Sequence, residues 1–300
     1  MNYYKVYGLN VESEILIPEL SILDNTERSD VQVKISYGVV SEGIKESIRN
    51  GRISNYQKQD MWFHIENVAT YHIYNGDTVI VEPCEVSDKQ IMKVYILGSV
   101  LGMVLLQRNM VAIHGGAISI NGKGCVFTGN KGAGKSTLTT ALRQRGYKFV
   151  ADDVASINMG DIHKINPGFG YQKLCEDTME KLGYDTTQYT PFRSDFNMKY
   201  IVPALDSFVD EEVPFEALFE LNVGDVDKVE IVEVTGIDKI NNLIKNVFRI
   251  EMLYYSGGVN PEYMKKCIEI AKNIKFYRVT RPKDVFSVDE QISIIEGLMC

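Results

Sequence analysis

The sequence predicts an α/β fold in two parts, a small β-rich unit over residues 1–88 and a larger unit over 89–300 in which strands and helices alternate. Three observations predict it. Before residue 88 apolar residues recur with period two, as in Val31-Gln32-Val33-Lys34-Ile35. Between Gly124 and Arg145 an apolar strand, a glycine-rich loop and a helical pattern succeed one another directly. After residue 213 strand-like runs at 214–221, 229–234 and 274–279 are interleaved with helical ones at 238–255, 261–272 and 288–298.

Bulk properties narrow the class. A chain of 300 residues can bury a sizeable core and accommodates two modest domains. Its 40 acidic against 32 basic residues, a formal charge of -8, describe a soluble acidic protein and do not suggest a nucleic-acid surface. Cys84, Cys125, Cys175, Cys267 and Cys300 are scattered, odd in number and free of a C-x-x-C pair, so neither a disulfide framework nor a zinc site is expected and a reducing, cytoplasmic setting fits. Met1-Asn2-Tyr3-Tyr4-Lys5 lacks the pattern of a secretory signal. The most apolar run, Val94 to Leu106, falls short of the roughly 20 residues of a membrane span, so no membrane partner is expected.

The first unit reads as strands near 11–17, 31–35, 62–65, 69–74 and 78–81, the last two joined by a hairpin at Asn75-Gly76. Trp62 belongs to its core, and an accessory or recognition role is the expectation for the unit as a whole. Pro83 and Ser87-Asp88-Lys89 mark a linker at 83–90. The 94–106 run then predicts a helix apolar on nearly all faces, buried within the second domain. Next come Val111-Ala112-Ile113-His114-Gly115-Gly116, a strand at 117–120 and a second Asn-Gly hairpin at Asn121-Gly122, which puts His114 near the segment after the strand at 124–128.

That segment is Gly129-Asn130-Lys131-Gly132-Ala133-Gly134-Lys135-Ser136-Thr137, the G-x-x-x-x-G-K-S/T pattern of a nucleotide-triphosphate loop. Strand, glycine loop and helix in succession is the context that chemistry needs. The loop N–H groups and the helix N-terminus would cradle phosphates, Lys135 would reach the outer ones and the Ser136 hydroxyl a magnesium ion. Lys131 adds a positive charge that either strengthens nucleotide binding or points outward.

Beyond the helix, Arg145-Gly146-Tyr147 caps it and a strand at 148–150 leads to Ala151-Asp152-Asp153. Adjacent carboxylates repel unless a cation compensates, which disfavours a mere solvated turn. One of the pair would hold magnesium and the other accept the proton of an attacking hydroxyl. Residues 166–170 read as a loop, 174–182 as a helix and 183–187 as another loop. Lys173, Arg193 and Lys199 are cations that would neutralise a transferring phosphoryl group or else lie on a solvated face. Arg249, within the helical run 238–255 and flanked by Phe248 and Ile250, is a further candidate for pointing into a site.

His114-Gly115-Gly116, the loop Gly129 to Thr137, Arg145-Gly146-Tyr147 and Ala151-Asp152-Asp153 together resemble the C-terminal catalytic domain of the bacterial HPr serine kinases/phosphorylases. The resemblance covers residues of about 90 to 285 and implies a P-loop kinase core related to phosphoenolpyruvate carboxykinase. In layout, with Phe248-Arg249 and Phe276-Tyr277-Arg278-Val279-Thr280-Arg281-Pro282, the chain looks more like HPr-kinase-related proteins of peptide-maturation clusters, including kinases of lasso-peptide precursors. The resemblance implies Asp152 as the carboxylate that deprotonates an acceptor serine, Asp153 and Ser136 around magnesium, Lys135 on the β- and γ-phosphates and His114 in the inner site. The chain departs from the family at Lys131, where a serine commonly precedes the second glycine, and at 167–185.

The expectation is therefore an ATP- and magnesium-dependent serine kinase acting on a peptide or protein, with two alternatives. One is a kinase of a small hydroxyl-bearing metabolite such as free serine; the other is a nucleotide-binding regulatory protein without phosphotransfer. HPr kinases form hexamers, so a homo-oligomer is an expectation without an interface legible in this sequence.

Overall fold

Alternating strands in the first hundred residues build one eight-stranded sheet. The computed structural model describes residues 1–194, 197–255 and 257–300, the side chains of 193, 194 and 197 excepted. Its mixed α/β chain divides into two compact units, Met1–Ala112 with Arg249–Met264, and Ile113–Phe248 with Lys265–Cys300.

In the first unit β1 (Asn2–Val6), β2 (Leu9–Ser13), β3 (Ser21–Ile22), β4 (Val33–Tyr37), β5 (Ser54–Gln57), β6 (Asp60–Ile65), β7 (Ala69–Tyr74) and β8 (Thr78–Pro83) lie in the order β3-β1-β2-β4-β8-β7-β6-β5. The β7–β8 hairpin turns at Asn75 and Gly76, whose φ angles of 57° and 68° suit a tight two-residue connection. Helix α1 (Glu42–Arg49) is capped by the Ser41 side chain, and its Ile44 packs with Val40 on the buried Trp62.

Residues 89–107 form a single helix, α2 (Lys89–Tyr95) passing through a π-helical turn at Ile96–Val100 into α3 (Leu101–Gln107). Asp88 caps it by accepting from the N–H groups of Gln90 and Ile91. By length and composition it could cross a membrane, yet 61% of its apolar window is buried inside the protein. It is longer than its apolar run suggested, and it packs in the first unit rather than the second. The Tyr71 hydroxyl donates to the Met92 carbonyl at 3.1 Å, and α3 lies on β7. The Gln107 amide closes the contact, accepting from Gly76 N–H at 2.9 Å and donating to the Ile73 carbonyl at 2.9 Å.

In the second unit β9 (Ala112–Ile120) and β10 (Lys123–Gly129) form a hairpin at Asn121-Gly122. Then come α4 (Lys135–Gln144), β11 (Lys148–Ala151), β12 (Val154–Asn158), β13 (Lys164–Asn166), β14 (Tyr171–Cys175), α5 (Glu176–Lys181), β15 (Thr190–Ser194), β16 (Asn197–Pro203), β17 (Val213–Gly224) and β18 (Glu230–Glu233). The chain ends with α6 (Gly236–Lys245), α7 (Ile250–Tyr255), α8 (Pro261–Asn273), β19 (Lys275–Pro282) and α9 (Val288–Met299), α7 and the first turn of α8 belonging to the first unit. β10 lies antiparallel to β9 and parallel to β17, and β17 is parallel to β19. Because β9 also neighbours β12, and β12 and β13 lead back to the start of β17, these strands close a ring. Phe127, Phe219 and Tyr277 stack in succession across β10, β17 and β19 at 5.3 Å per pair, in the core shared with α4 and α9.

Two helical expectations are corrected. Residues 171–175 of the segment 164–189 form β14, paired with β16 and alternating in burial, so the predicted 174–182 helix is reduced to α5. The 238–255 run is broken between α6 and α7: Val247 bridges to Ile113 and Arg249 takes a φ of 52°, because this backbone pairs with β9 instead of continuing the helix.

Gln107→Met keeps the side-chain volume and leaves Gly76 N–H without its acceptor, while the Ile73 carbonyl keeps its place in the β6–β7 ladder. It is expected to destabilise the protein by about 1–3 kcal/mol, the cost of one buried donor left unsatisfied, a loss measurable by urea denaturation.

Candidate active site

The glycine loop begins where β10 runs out. Gly129 has a φ of 135°, and a Cβ there would lie 2.3 Å from the Leu221 carbonyl oxygen of β17, so only glycine fits. Gly132 and Gly134 also take positive φ, 83° and 106°, which curls the loop backbone into an N–H concavity. The first turn of α4 has no side-chain cap, leaving its N–H groups available to an anion. The Lys135 ammonium bonds to the carbonyls of Gly129 at 2.8 Å and Asn130 at 3.2 Å. Burial lowers its pKa, against the opposing pull of Asp153. Ala133 is buried, Lys131 is exposed at the tip and Ser136 half-buried, while the Thr137 hydroxyl pairs with that of Thr178 on α5 at 3.1 Å.

Asp152 and Asp153 make the turn between β11 and β12, and Gly115 N–H anchors it by donating to the Asp153 carbonyl at 3.0 Å. Asp152 is 4% exposed, and its Oδ2 accepts from the backbone N–H of Lys173 at 3.0 Å. The Lys173 side chain turns to the neighbouring residue and forms an ion pair with Asp153. One residue of β14 thus serves both carboxylates. It is held there by the fully buried Gln172, whose amide meets the hydroxyls of Thr139 and Thr140 on α4 at 3.3 and 3.4 Å. This cation is the compensation that the adjacent acids demand.

The environment separates the two acids. Burial foremost, and then the charge of Asp153, pushes the Asp152 carboxyl up to about 7. For Asp153 burial works in the same direction but is outweighed by Lys173, with Lys199 and His114 behind it, which hold it well below the usual carboxylate range. Lys199 contributes from β16, opposite Cys175 of β14.

His114 is half-buried on β9, its ring 5.9 Å from that of Phe248. Its N–H donates to the Asn246 carbonyl at 2.8 Å, and its own carbonyl accepts from the Thr128 hydroxyl at 2.6 Å. A buried chain of contacts continues from there. Asn246 Oδ1 lies 2.9 Å from the Thr128 hydroxyl and its Nδ2 donates to Glu220, which pairs with Arg278 Nε at 2.9 Å. His114, Lys135, Asp152, Asp153, Lys173 and Lys199 therefore form one electrostatic group. Arg249 belongs to the first unit, where its guanidinium meets Ser99 and Glu251. Arg193 falls on β15, and its side chain is outside the described residues.

Residues 107–181, a quarter of the chain, match the family model described as HPr Serine kinase C-terminal domain. Over this segment the chain is similar to that family. The segment contains the whole loop, both carboxylates, His114 and Lys173. A solved structure, described as the Hpr(Ser) kinase/phosphatase from Coxiella burnetii, matches at 13% identity and a TM-score of 0.31, covering 63% of this chain and 93% of that one.

The site's surroundings also include residues that sequence reasoning missed. Glu220 carried a visible signal, a lone acid in the apolar run Ala217-Leu218-Phe219-Glu220-Leu221. Arg278 and Arg281 lay in the segment Phe276 to Pro282 noted above, though with no role attached, and Gln172 and Asn246 carried no signal, since a single polar residue beside an apolar one is common on any strand or helix end. Arg281 lies at the C-terminal end of β19 and bonds to the carbonyls of Gly132 and Ala133, each at 3.2 Å.

An acid whose pKa is raised on folding, here from 3.8 to about 7, makes the folded state bind the proton more tightly, so its contribution to stability falls as pH rises through that window. Asp152→Asn, neutral throughout, is expected to raise the Tm of the protein free of nucleotide and magnesium at pH 8, and to raise it less at pH 5. Thermal denaturation at both values checks the sign.

Proposed function

We propose that the chain is a magnesium- and ATP-dependent kinase that transfers the γ-phosphoryl group to a serine hydroxyl of a peptide or protein, a ribosomally made precursor peptide being the leading candidate. The observation that carries this reading is the division of labour at Asp152 and Asp153. A buried carboxylate held by one backbone N–H sits beside a second carboxylate paired with a lysine, next to a nucleotide-type loop. Carboxylates driven apart by their surroundings are the usual arrangement for an acid–base group beside a charged one.

The residues fit the groups this reaction needs. The uncapped start of α4 and the positive-φ glycines suit a triphosphate, and Lys135 suits its outer phosphates. Ser136 and Asp153 offer hard oxygen donors of the kind magnesium takes, and Asp153 is the acid kept charged. Among the described residues no three His, Cys, Asp or Glu side chains gather as a metal cage. Magnesium in phosphoryl transfer needs none, because one or two carboxylates and the phosphates complete its shell. When bound it supplies neutralisation of the charge on the β- and γ-oxygens.

Asp152 then has one task. It takes the proton as the serine O–H bond breaks, the serine oxygen bonds to the γ-phosphorus, and the bond from that phosphorus to the bridging oxygen breaks to release ADP. Lys173 orients Asp152 through its backbone N–H, and together with Lys199 it offers positive charge to the transferring group. The reading of Asp152 as base and Asp153 as metal ligand is supported by the burial of the first and the ion pair of the second. A cytoplasmic location accords with the free cysteines.

Incubation with magnesium and γ-labelled ATP against peptides encoded beside the gene, followed by mass measurement, is expected to show one phosphoryl group added to a serine. Release of inorganic phosphate alone, or label only on free serine, would overturn the peptide reading. Asp152→Asn should lower kcat by about 10²–10⁴-fold while ATP affinity changes little. An equal loss in both quantities would remove Asp152 from the role of base.

A further inference from the structure

Four carbonyl groups of the glycine loop are bound by two cations. Lys135 binds those of Gly129 and Asn130 from within the loop. Arg281 binds those of Gly132 and Ala133 from β19, through Nη2 and Nε, each at 3.2 Å. Its remaining nitrogen, Nη1, donates to the Pro282 carbonyl at 3.2 Å, which fixes the plane of the guanidinium against its own strand. That strand is rigidly placed, paired with β17 on one side and β18 on the other.

We propose that Arg281 is a positioning residue that locks the loop in its phosphate-receiving form by preventing the Ala133–Gly134 peptide from turning over and by reinforcing the Gly132–Ala133 peptide, which the Ala133 N–H already ties to the Asn130 carbonyl at 3.1 Å. In a trans peptide the C=O and N–H point in opposite directions, so a carbonyl held outward sets the N–H of the next residue on the other side. The peptides concerned adjoin glycines with φ of 83° and 106°, the residues for which rotation of a peptide plane costs least. A turned-over peptide would aim its carbonyl oxygen at the phosphates and withdraw an N–H from them. A Cβ at Gly132 would meet nothing within 4 Å, so packing does not hold Gly132 itself, whereas the Ala133 side chain is anchored in the core. Lys135 secures the first half of the loop and Arg281 the second. The guanidinium suits this task because its planar fork reaches two adjacent carbonyls at once, which a lysine cannot do.

The proposal rests on the loop's reading as a nucleotide site, and the test separates the two. Amide hydrogen exchange of residues 130–135 in the nucleotide-free protein reads the lock alone. Arg281→Ala is expected to speed exchange there by about tenfold or more, the loss of one to two hydrogen bonds to a charged group, while β10 and the body of α4 exchange as in the wild type. Arg281→Lys should recover part of the protection. Binding of the non-hydrolysable ATP analogue AMPPNP with magnesium reads the consequence: Kd should rise about ten- to a hundredfold in Arg281→Ala. In any phosphoryl-transfer assay the effect should fall on KM for ATP, with kcat at saturation within about twofold.

Unchanged exchange of the free loop in Arg281→Ala would overturn the proposal, even if affinity fell, because Arg281 would then act by touching the nucleotide. A loss confined to kcat would overturn it equally. Wild-type protein that bound no nucleotide would sink the functional reading, and the exchange comparison would still decide the lock. Loss of protection throughout the second unit, in the lysine variant as well as the alanine one, would mark Arg281 as a general structural residue and end the idea.

Discussion

Two carboxylates on adjacent residues at the end of a buried strand repel each other, and both face the cost of leaving water. The second unit is arranged around meeting that cost with a single residue. Lys173 gives its backbone N–H to Asp152 and its ammonium to Asp153, and both contacts favour the charged acid, but at Asp152 burial and the charge of Asp153 outweigh them. One is left close to neutrality and the other firmly charged. For Lys173 to stand there, β14 must lie against α4, which the buried amide of Gln172 ensures by bonding to two threonines of the helix that begins at the phosphate loop. The loop and the acid turn are therefore joined through a third element that carries no motif.

A second constraint comes from the parallel alignment of β10, β17 and β19. Their C-terminal ends come together beside the glycine loop. Gly129 closes β10 against the Leu221 carbonyl of β17, and Arg281 reaches the loop from the end of β19. In the body of the same strands Thr128, Glu220 and Arg278 occupy successive register positions and tie to Asn246, whose backbone in turn holds His114. An ion pair such as Glu220–Arg278, with the acid buried and the arginine partly exposed, is not by itself strong evidence of stability, because desolvation of the acid offsets much of the attraction. Its consequence here is geometric: it fixes Asn246, and with it the place of His114 beside the acids.

Features set by neighbours in sequence were legible. The hairpins at Asn75-Gly76 and Asn121-Gly122 and the helix end at Gly146 all appear where their residues require positive φ. The glycine loop, its flanking strand and helix, and the acid pair also lie where their spacing placed them. Features set by neighbours in space were not. The apolar helix of residues 89–107 could have covered any sheet, and nothing in its own residues selected β7 of the first unit. Residues 171–175 have a pattern short enough for strand or helix, and pairing with β16 decided it. The helical run at 238–255 stops at Asn246 because that side chain is drawn into the Thr128–Glu220 network and the next residues pair with β9.

By itself the sequence marked out the glycine loop, because such a loop is a local object written within nine consecutive residues. It also showed that Asp152 and Asp153 needed a cation, since adjacent charges carry that demand wherever they fold. Which cation, and which acid would stay charged, was settled only by tertiary structure. Lys173 lies twenty residues away on a strand of its own, Arg281 nearly a hundred and fifty from the loop it grips, and only strand pairing and helix docking bring such groups within hydrogen-bond reach. Burial, which pushes both carboxyls up and is outweighed only at Asp153, is likewise a property of the packed chain.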